Sequence, residues 1–305
     1  MSDILWNPLN VSPEEAAMAN EIINGGVGKR LSEEVMSEFK TGAEWVMEIG
    51  TRVGKTLVHM YRPEGTEGKE LPLLINMHGG GFIKGRRDQD IVFCRNICSR
   101  SGFLVADVDY VPAPAMRYPG QVYACYDIVQ YFAEAAAELH VIREKIAVAG
   151  HSAGGTLAAA LNLMAIDNGT FVPALQILDY PGLDLNKPVS EKRNSDSNPR
   201  IPSWKAEFYN KMYADPEDTA QVYCSPALAA DAQLCKMPAT VMMYCQNDTF
   251  CDEDADFAAR LMNLGVQVYA KCFHHSSHGF AVQRNGEYEV AEKMMLQALK
   301  ALAEK

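Results

Sequence analysis

Residues 145–161, KIAVAGHSAGGTLAAAL, decide the fold. The run 146–149 is apolar and short, the pattern of a buried strand, and 156–165 is mostly apolar at helical length. Between them lies Gly150-His151-Ser152-Ala153-Gly154. A strand that turns sharply into a helix needs small residues around the turn. A Cβ at Gly150 or Gly154 would crowd the neighbouring strand or helix. Ser152, at the apex, then has its Oγ pushed outward. The N-terminus of the following helix points at it and stabilises developing negative charge there. A glycine-rich strand–helix connection without chemistry has the same local sequence. Three further segments separate the two readings.

Residues 71–77, LPLLINM, read as a hydrophobic strand that runs straight into His78-Gly79-Gly80-Gly81. Consecutive glycines leave backbone N–H groups bare and able to approach an oxyanion closely. Gly80 and Gly81, with Ala153 after the serine, are the candidate donors. Residues 239–245, ATVMMYC, read as another apolar strand, with Asn247-Asp248 just past its C-terminal end. Active-site groups of open α/β sheets collect there, so Asp248 is the candidate to hold an imidazole in one tautomer. The nearby Asp252, Glu253 and Asp254 crowd together as acidic residues do at a helix start, here a helix over 252–264. Residues 266–273 alternate as a strand and lead to His274, His275 and His278. Their spacing matches no zinc pattern and no cysteine pair stands beside them. One catalytic histidine is the better reading, and His278, directly before Gly279-Phe280, is the candidate.

The order Ser152, Asp248, His278 is that of the α/β-hydrolases. Together the segments resemble the hormone-sensitive-lipase-like family of α/β-hydrolase carboxylesterases. The match is carried by HGGGF at 78–82, DYVPAPAMRYPGQVYACYD at 109–127, GHSAGG at 150–155 and SSHGF at 276–280. LDYPGLDL at 178–185 and YCSPALA at 223–229 also resemble family segments. The chain departs from the family in having His151 where Asp or Glu usually precedes the nucleophile. It also has Pro112-Ala113-Pro114-Ala115 in place of a Leu-Ala-Pro-Glu segment.

The resemblance implies an α/β fold of the α/β-hydrolase type, with a mostly parallel central sheet, helices on both faces and a small helical cap. It implies a serine carboxylesterase acting through an acyl-enzyme on short-chain acyl, small aromatic or acetylated esters, with no cofactor and no metal. Ser152 would be nucleophile, His278 base and Asp248 its orienting partner. Gly80, Gly81 and Ala153 would form the oxyanion hole. Phe82 and His151 are expected substrate-binding residues, and Trp204, Phe208 and Tyr209 either line the acyl or alcohol pocket or anchor the cap helix, anchoring being the reading slightly favoured. An amidase or peptidase of the same fold would share the tetrahedral intermediate. A non-catalytic ligand receptor on this scaffold is the other alternative, and the intact Ser152, Asp248 and His278 set argues against it.

The rest of the chain fits one large α/β domain with a small appendage. It has 305 residues, 48% hydrophobic and 22% charged. A net charge of −11 argues against nucleic acid and anionic membrane surfaces as partners. No run approaches the roughly 18–20 apolar residues of a membrane span. The first residues lack a basic segment followed by an apolar one, which predicts no signal peptide. A cytoplasmic protein whose eight cysteines are free thiols is expected. The partner is a small-molecule ester, and a homo-oligomer is left open.

The organisation reads as N-terminal helices over 1–42, core over 43–182, an insertion over 183–222 and core again over 223–305. Residues 43–63 predict a hairpin turning near Arg52 to Lys55. Two short helices are expected over 13–24 and 32–40, one over 203–214, and one across AEAAAEL at 133–139. The resemblance makes 1–42 and 183–222 the cap. Asp196, Ser197, Asn198 and Arg200 would give it a solvated loop in place of a broad apolar platform, hence the expected preference for short acyl chains.

Overall fold

The computed structural model describes residues 12–25, 30–193 and 201–305. Strict alternation along the central strands sorts their side chains onto two faces. Eight strands form one sheet: β1 (Ala43–Thr51), β2 (Gly54–Arg62), β3 (Leu71–Met77), β4 (Leu104–Asp109), β5 (Val141–His151), β6 (Leu175–Asp179), β7 (Ala239–Cys245) and β8 (Val268–Phe273). Their order is β1-β2-β4-β3-β5-β6-β7-β8. β1 and β2 pair antiparallel as the expected hairpin, and β2 pairs antiparallel with β4. Every pairing from β4 through β8 is parallel.

The helices are α1 (Pro13–Gly25), α2 (Glu33–Met36), α3 (Asp88–Ser101), α4 (Gly120–Glu134), α5 (Ala153–Asn168), α6 (Ser203–Tyr213), α7 (Asp231–Leu234), α8 (Cys251–Asn263), α9 (Phe280–Gln283) and α10 (Tyr288–Ala303). On one face, α4, α5 and α8 bring Ile128, Leu157 and Phe257 against Leu73, Ile75, Val148 and Met242. On the other, α3 and α10 bring Phe93, Ile97 and Met295 against Leu74, Ala147, Ile177 and Val241. Each fully buried side chain of this kind contributes roughly 1.5–3 kcal/mol. With both faces covered, the strands read as near-continuous apolar runs, the pattern that marked them in the sequence.

Over the C-terminal ends of the strands, α1 meets α6. Ala19 joins Phe208, Tyr209 and Met212 in a small cluster with Ile83 and Ala113. Buried Arg117 fixes α6 to the core. Its guanidinium donates to the carbonyls of Lys211 (3.1 Å) and Met212 (3.0 Å) and pairs with Asp215 at 2.9 Å. A cation at the end of a helix satisfies carbonyls that lack an intrahelical partner.

Three local expectations are corrected. The AEAAAEL stretch is not a helix of its own: α4 ends at Glu134, and the chain turns through 136–140 to enter β5 at Val141. Good helix formers yield here to a short connection, closed by the Val141 N–H donating to the Ala136 carbonyl at 2.8 Å. Of the helix expected over 32–40 only Glu33–Met36 is helical, capped by the Ser32 side chain. The strand expected from residue 266 begins at Val268. Asp196, Ser197, Asn198 and Arg200 lie outside the described residues, as do residues 1–11 and 26–29.

Candidate active site

Ser152 sits between β5 and α5 with φ 53° and ψ −122°, a conformation that side chains rarely adopt. The close approaches around it explain the glycines. A Cβ on Gly150 would lie 2.1 Å from the Gly154 carbonyl oxygen, and one on Gly154 would lie 2.1 Å from that of Met77. The Ser152 N–H donates to the Asp179 carbonyl at 2.9 Å, tying the turn to the end of β6.

β8 and β7 deliver the partners. His278 Nε2 lies 2.8 Å from Ser152 Oγ, and His278 Nδ1 lies 2.7 Å from Asp248 Oδ2. A carboxylate only accepts, so Nδ1 carries the proton and Nε2 is left to accept from the serine hydroxyl. Asp248 is 1% exposed and His278 7%, so this line of hydrogen bonds is shielded from water on the aspartate side. The tautomer and the direction of the imidazole are thereby fixed, the condition for a serine to lose its proton on attack. His274 and His275 are exposed and stand apart from it. Among the described residues no group of three or more His, Cys, Asp or Glu side chains is arranged to hold a metal ion.

The glycine loop after β3 is held by its carbonyls. Tyr110 Oη donates to the His78 carbonyl at 2.8 Å, and Arg87 donates to the Gly79 carbonyl at 2.9 Å. Gly80 and Gly81 both have positive φ, 135° and 61°. At Gly81 a side chain would strike the Tyr209 ring, 2.4 Å from the Cβ position. Ala153 opens α5, where the N–H has no intrahelical partner.

Two hollows meet at Ser152. A cavity of about 580 Å³ also touches Gly80, Gly81, His151, Tyr180, Tyr209 and His278. A lobe of about 20 Å³ lies on the Ala153 side, closed by Thr156, Leu185, Lys192 and Phe250. Of the expected substrate-binding residues, Tyr209 borders both hollows, His151 the larger and Phe82 the smaller. Phe82 is stacked on Tyr213 with centroids 3.7 Å apart. Phe208 is spent on the α1–α6 cluster, and Trp204 is 58% exposed and borders neither hollow. Trp204 begins α6 on its outer side, so its apolar ring is no sign of a pocket wall.

Sequence reasoning missed a second histidine–carboxylate pair. His151 and Asp179 are register partners on β5 and β6, with Nδ1 2.8 Å from Oδ2. Both are buried, and the His151 ring stands edge-on to Phe93 at 4.4 Å. Burial pushes the Asp179 carboxyl up, and His151 opposes this. Tyr180 follows with a positive φ of 41° and sets its ring 4.7 Å from that of His278. The signal was present in LDYPGLDL, where Asp179-Tyr180 ends a strand, but nothing local says which residue faces them.

Comparison with known proteins bears on the family and the fold. A family model described as alpha/beta hydrolase fold matches residues 74–282. The ethyl acetate hydrolase of Pseudomonas putida is 27% identical over 260 residues, 84% of this chain and 81% of that protein. The arylesterase of Saccharolobus solfataricus is 30% identical over 214 residues, 68% of each chain. Alignments with such relatives span 59% to 81% of the relatives' own length. The hyperthermophilic esterase of the archaeon Pyrobaculum calidifontis superposes with a TM-score of 0.83 at 26% identity, over 95% of this chain and 94% of that one. This chain belongs to the hormone-sensitive-lipase-like family of α/β-hydrolase carboxylesterases.

Proposed function

We propose that the protein is a serine carboxylesterase that hydrolyses short-chain acyl esters through an acyl-enzyme. The observation that carries this reading is the hydrogen-bonded line Ser152–His278–Asp248 ending at a cavity. Ser152 Oγ attacks the ester carbonyl carbon while His278 Nε2 takes the hydroxyl proton. The carbonyl electron pair moves onto oxygen and is met by the N–H groups of Gly80, Gly81 and Ala153. One such donor is worth roughly 10²–10³ in rate. His278 returns its proton to the departing alkoxide. Water, deprotonated by His278, then releases the acid and restores Ser152.

The two hollows divide the substrate. The alcohol half must lie beside His278, which protonates it, and the large cavity touches His278 whereas the small lobe does not. The acyl half therefore takes the lobe. At about 20 Å³ it is far smaller than the cavity of about 580 Å³ on the alcohol side, so it bounds the acyl chain tightly. This supports the short-chain preference, as does the likeness to an ethyl acetate hydrolase. The α1–α6 pair, within segments 1–42 and 183–222, acts as the cap, with α6 bounding both hollows and α1 packed against it. Among the described residues no helix is long and apolar enough to cross a membrane, and all eight cysteines are free thiols, in keeping with a cytoplasmic enzyme.

A panel of 4-nitrophenyl esters from acetyl to palmitoyl, with fluorophosphonate labelling located by mass spectrometry, tests the reading. Acetyl and butyryl esters should be preferred, with the label on Ser152. A faster palmitoyl ester would refute the acyl-length part, and an unlabelled Ser152 would refute the mechanism.

A further inference from the structure

The large cavity is charged oppositely to the molecule around it. The chain carries −11, yet the cavity wall holds Lys84, Arg87 and Lys205 against Asp88 alone. Arg87 is answered by Asp90 at 3.3 Å, and Asp88 accepts the Leu31 N–H at 3.0 Å. Lys84 and Lys205 are both partly buried, and among the described residues neither has an ion-pair partner. Their placement is built in. The Lys84 N–H donates to the Gly80 carbonyl at 3.1 Å, and a Cβ on Gly80 would lie 2.7 Å from Lys84 Cβ. Lys205 Nζ stands 5.9 Å from the centre of the Tyr209 ring, the ring packed over Gly81. Both lysines therefore line the cavity, Lys84 from the glycine loop itself and Lys205 from beside the ring that covers it.

Two cations gathered in a partly desolvated hollow repel each other, which favours the filled site only when an anion enters it. Burial, then Arg87 and Lys205, lower the Lys84 ammonium from its ordinary value, as crowding by like charge requires. Nothing comparable lines the acyl lobe, where Lys192 is neutralised by Glu253 at 2.5 Å. We propose that the preferred substrate is an ester whose alcohol half carries an anionic group, held between Lys84 and Lys205. The proposal rests on the esterase reading and names the substrate class of that site. Ammonium groups are point charges that read charge before shape, so a carboxylate and a sulfonate should both serve.

The test uses phenyl acetates bearing a meta carboxylate, a meta sulfonate or a neutral meta carboxamide. The measured quantity is the ratio of kcat/KM for each anionic ester to that for the carboxamide. In the Lys84→Gln, Lys205→Gln double variant that ratio should fall about tenfold, and added salt should lower it in the parent protein. Lys205→Glu should lower it further. Thermal melting checks that each variant is folded. A ratio that stays the same in all folded variants overturns the proposal. A second arm does not depend on turnover: calorimetric binding of 3-hydroxybenzoate and of 3-hydroxybenzamide to Ser152→Ala. The anion should bind more tightly, and adding the two lysine substitutions should remove the difference. Equal binding of anion and amide overturns the cation site. An unlabelled Ser152 with intact anion binding overturns the esterase reading alone.

Discussion

Two histidine–carboxylate pairs flank Ser152, and only one of them is built for proton transfer. In both, an imidazole Nδ1 meets an aspartate at nearly the same distance, 2.7 Å for His278–Asp248 and 2.8 Å for His151–Asp179. The difference lies at the other nitrogen. His278 Nε2 reaches Ser152 Oγ at the edge of a cavity. His151 Nε2 is buried and finds no hydrogen-bond partner among the described residues. The first pair spans a loop and a strand end, where a ring can face a substrate. The second joins neighbouring strands, where the same chemistry cross-links the sheet beneath the serine. A histidine held by a carboxylate becomes a base only through what its second nitrogen touches.

Substitutions can break that contrast or sharpen it. Ser152→Ala should cost on the order of 10⁴–10⁶ in kcat, because the acyl-enzyme route disappears. Retention of more than a few per cent of the rate would show that the serine is not the nucleophile. The same isosteric change in each pair is the sharper experiment. Asp248→Asn should lower kcat by roughly 10⁴, since an amide favours the wrong imidazole tautomer. Asp179→Asn should lower kcat less than about tenfold and cost about 1–3 kcal/mol in urea unfolding, the usual loss when a buried polar contact is spoiled. A thousandfold loss of kcat in Asp179→Asn at unchanged stability would erase the distinction.

A third buried carboxyl supplies a smaller effect with a definite sign. Asp254 on α8 is fully buried, and neither of its oxygens has a hydrogen-bond partner among the described residues. Burial, then Glu253 and Asp248, push its carboxyl well above the ordinary range. An unfolded aspartate titrates near 3.9, so above about pH 4 the unfolded chain gives up a proton that the folded chain keeps. Stability from this group therefore falls as pH rises, by at most about 1.4 kcal/mol per pH unit, until the raised native value is passed. Asp254→Asn holds no proton and escapes this loss. Urea unfolding at about pH 5 and about pH 8 should show the variant gaining on the parent at the higher pH. An equal difference at both would mean that the carboxyl is ionised in the fold. Least of all, His274→Ala and His275→Ala should leave kcat within about twofold, both rings being exposed and away from Ser152.

The same contrast marks what could be read from sequence. Ser152, Gly150 and Gly154 were legible because one contiguous turn imposes all three. Asp248 was separable from its neighbours because it lies just past the C-terminal end of β7. Asp252, Glu253 and Asp254 stand in the first turn of α8, where Asp252 pairs with Arg193 at 3.0 Å. His151–Asp179 was not legible, because its partners lie 28 residues apart and only the parallel register opposes them. Lys84 and Lys205 come to line one cavity from distant parts of the chain, for the same non-local reason. Trp204 misled because a helix's apolar residues announce burial somewhere without naming the surface. Here the outer side of α6 leaves the ring in solvent.

The strand order also governs when activity can first exist. β5, β6, β7 and β8 are laid side by side in the order in which they are synthesised. Ser152 emerges first, Asp179 and Asp248 follow, and His278 arrives 126 residues after the serine it serves. Half of the sheet can thus grow outward from β5 by adding one neighbour at a time, each joined by a connection on the chain already made. Until β8 docks, the exposed serine has no base. A nascent chain, or one clipped before its last strand, therefore carries a shaped but inert nucleophile, and hydrolysis begins only when the sheet is complete.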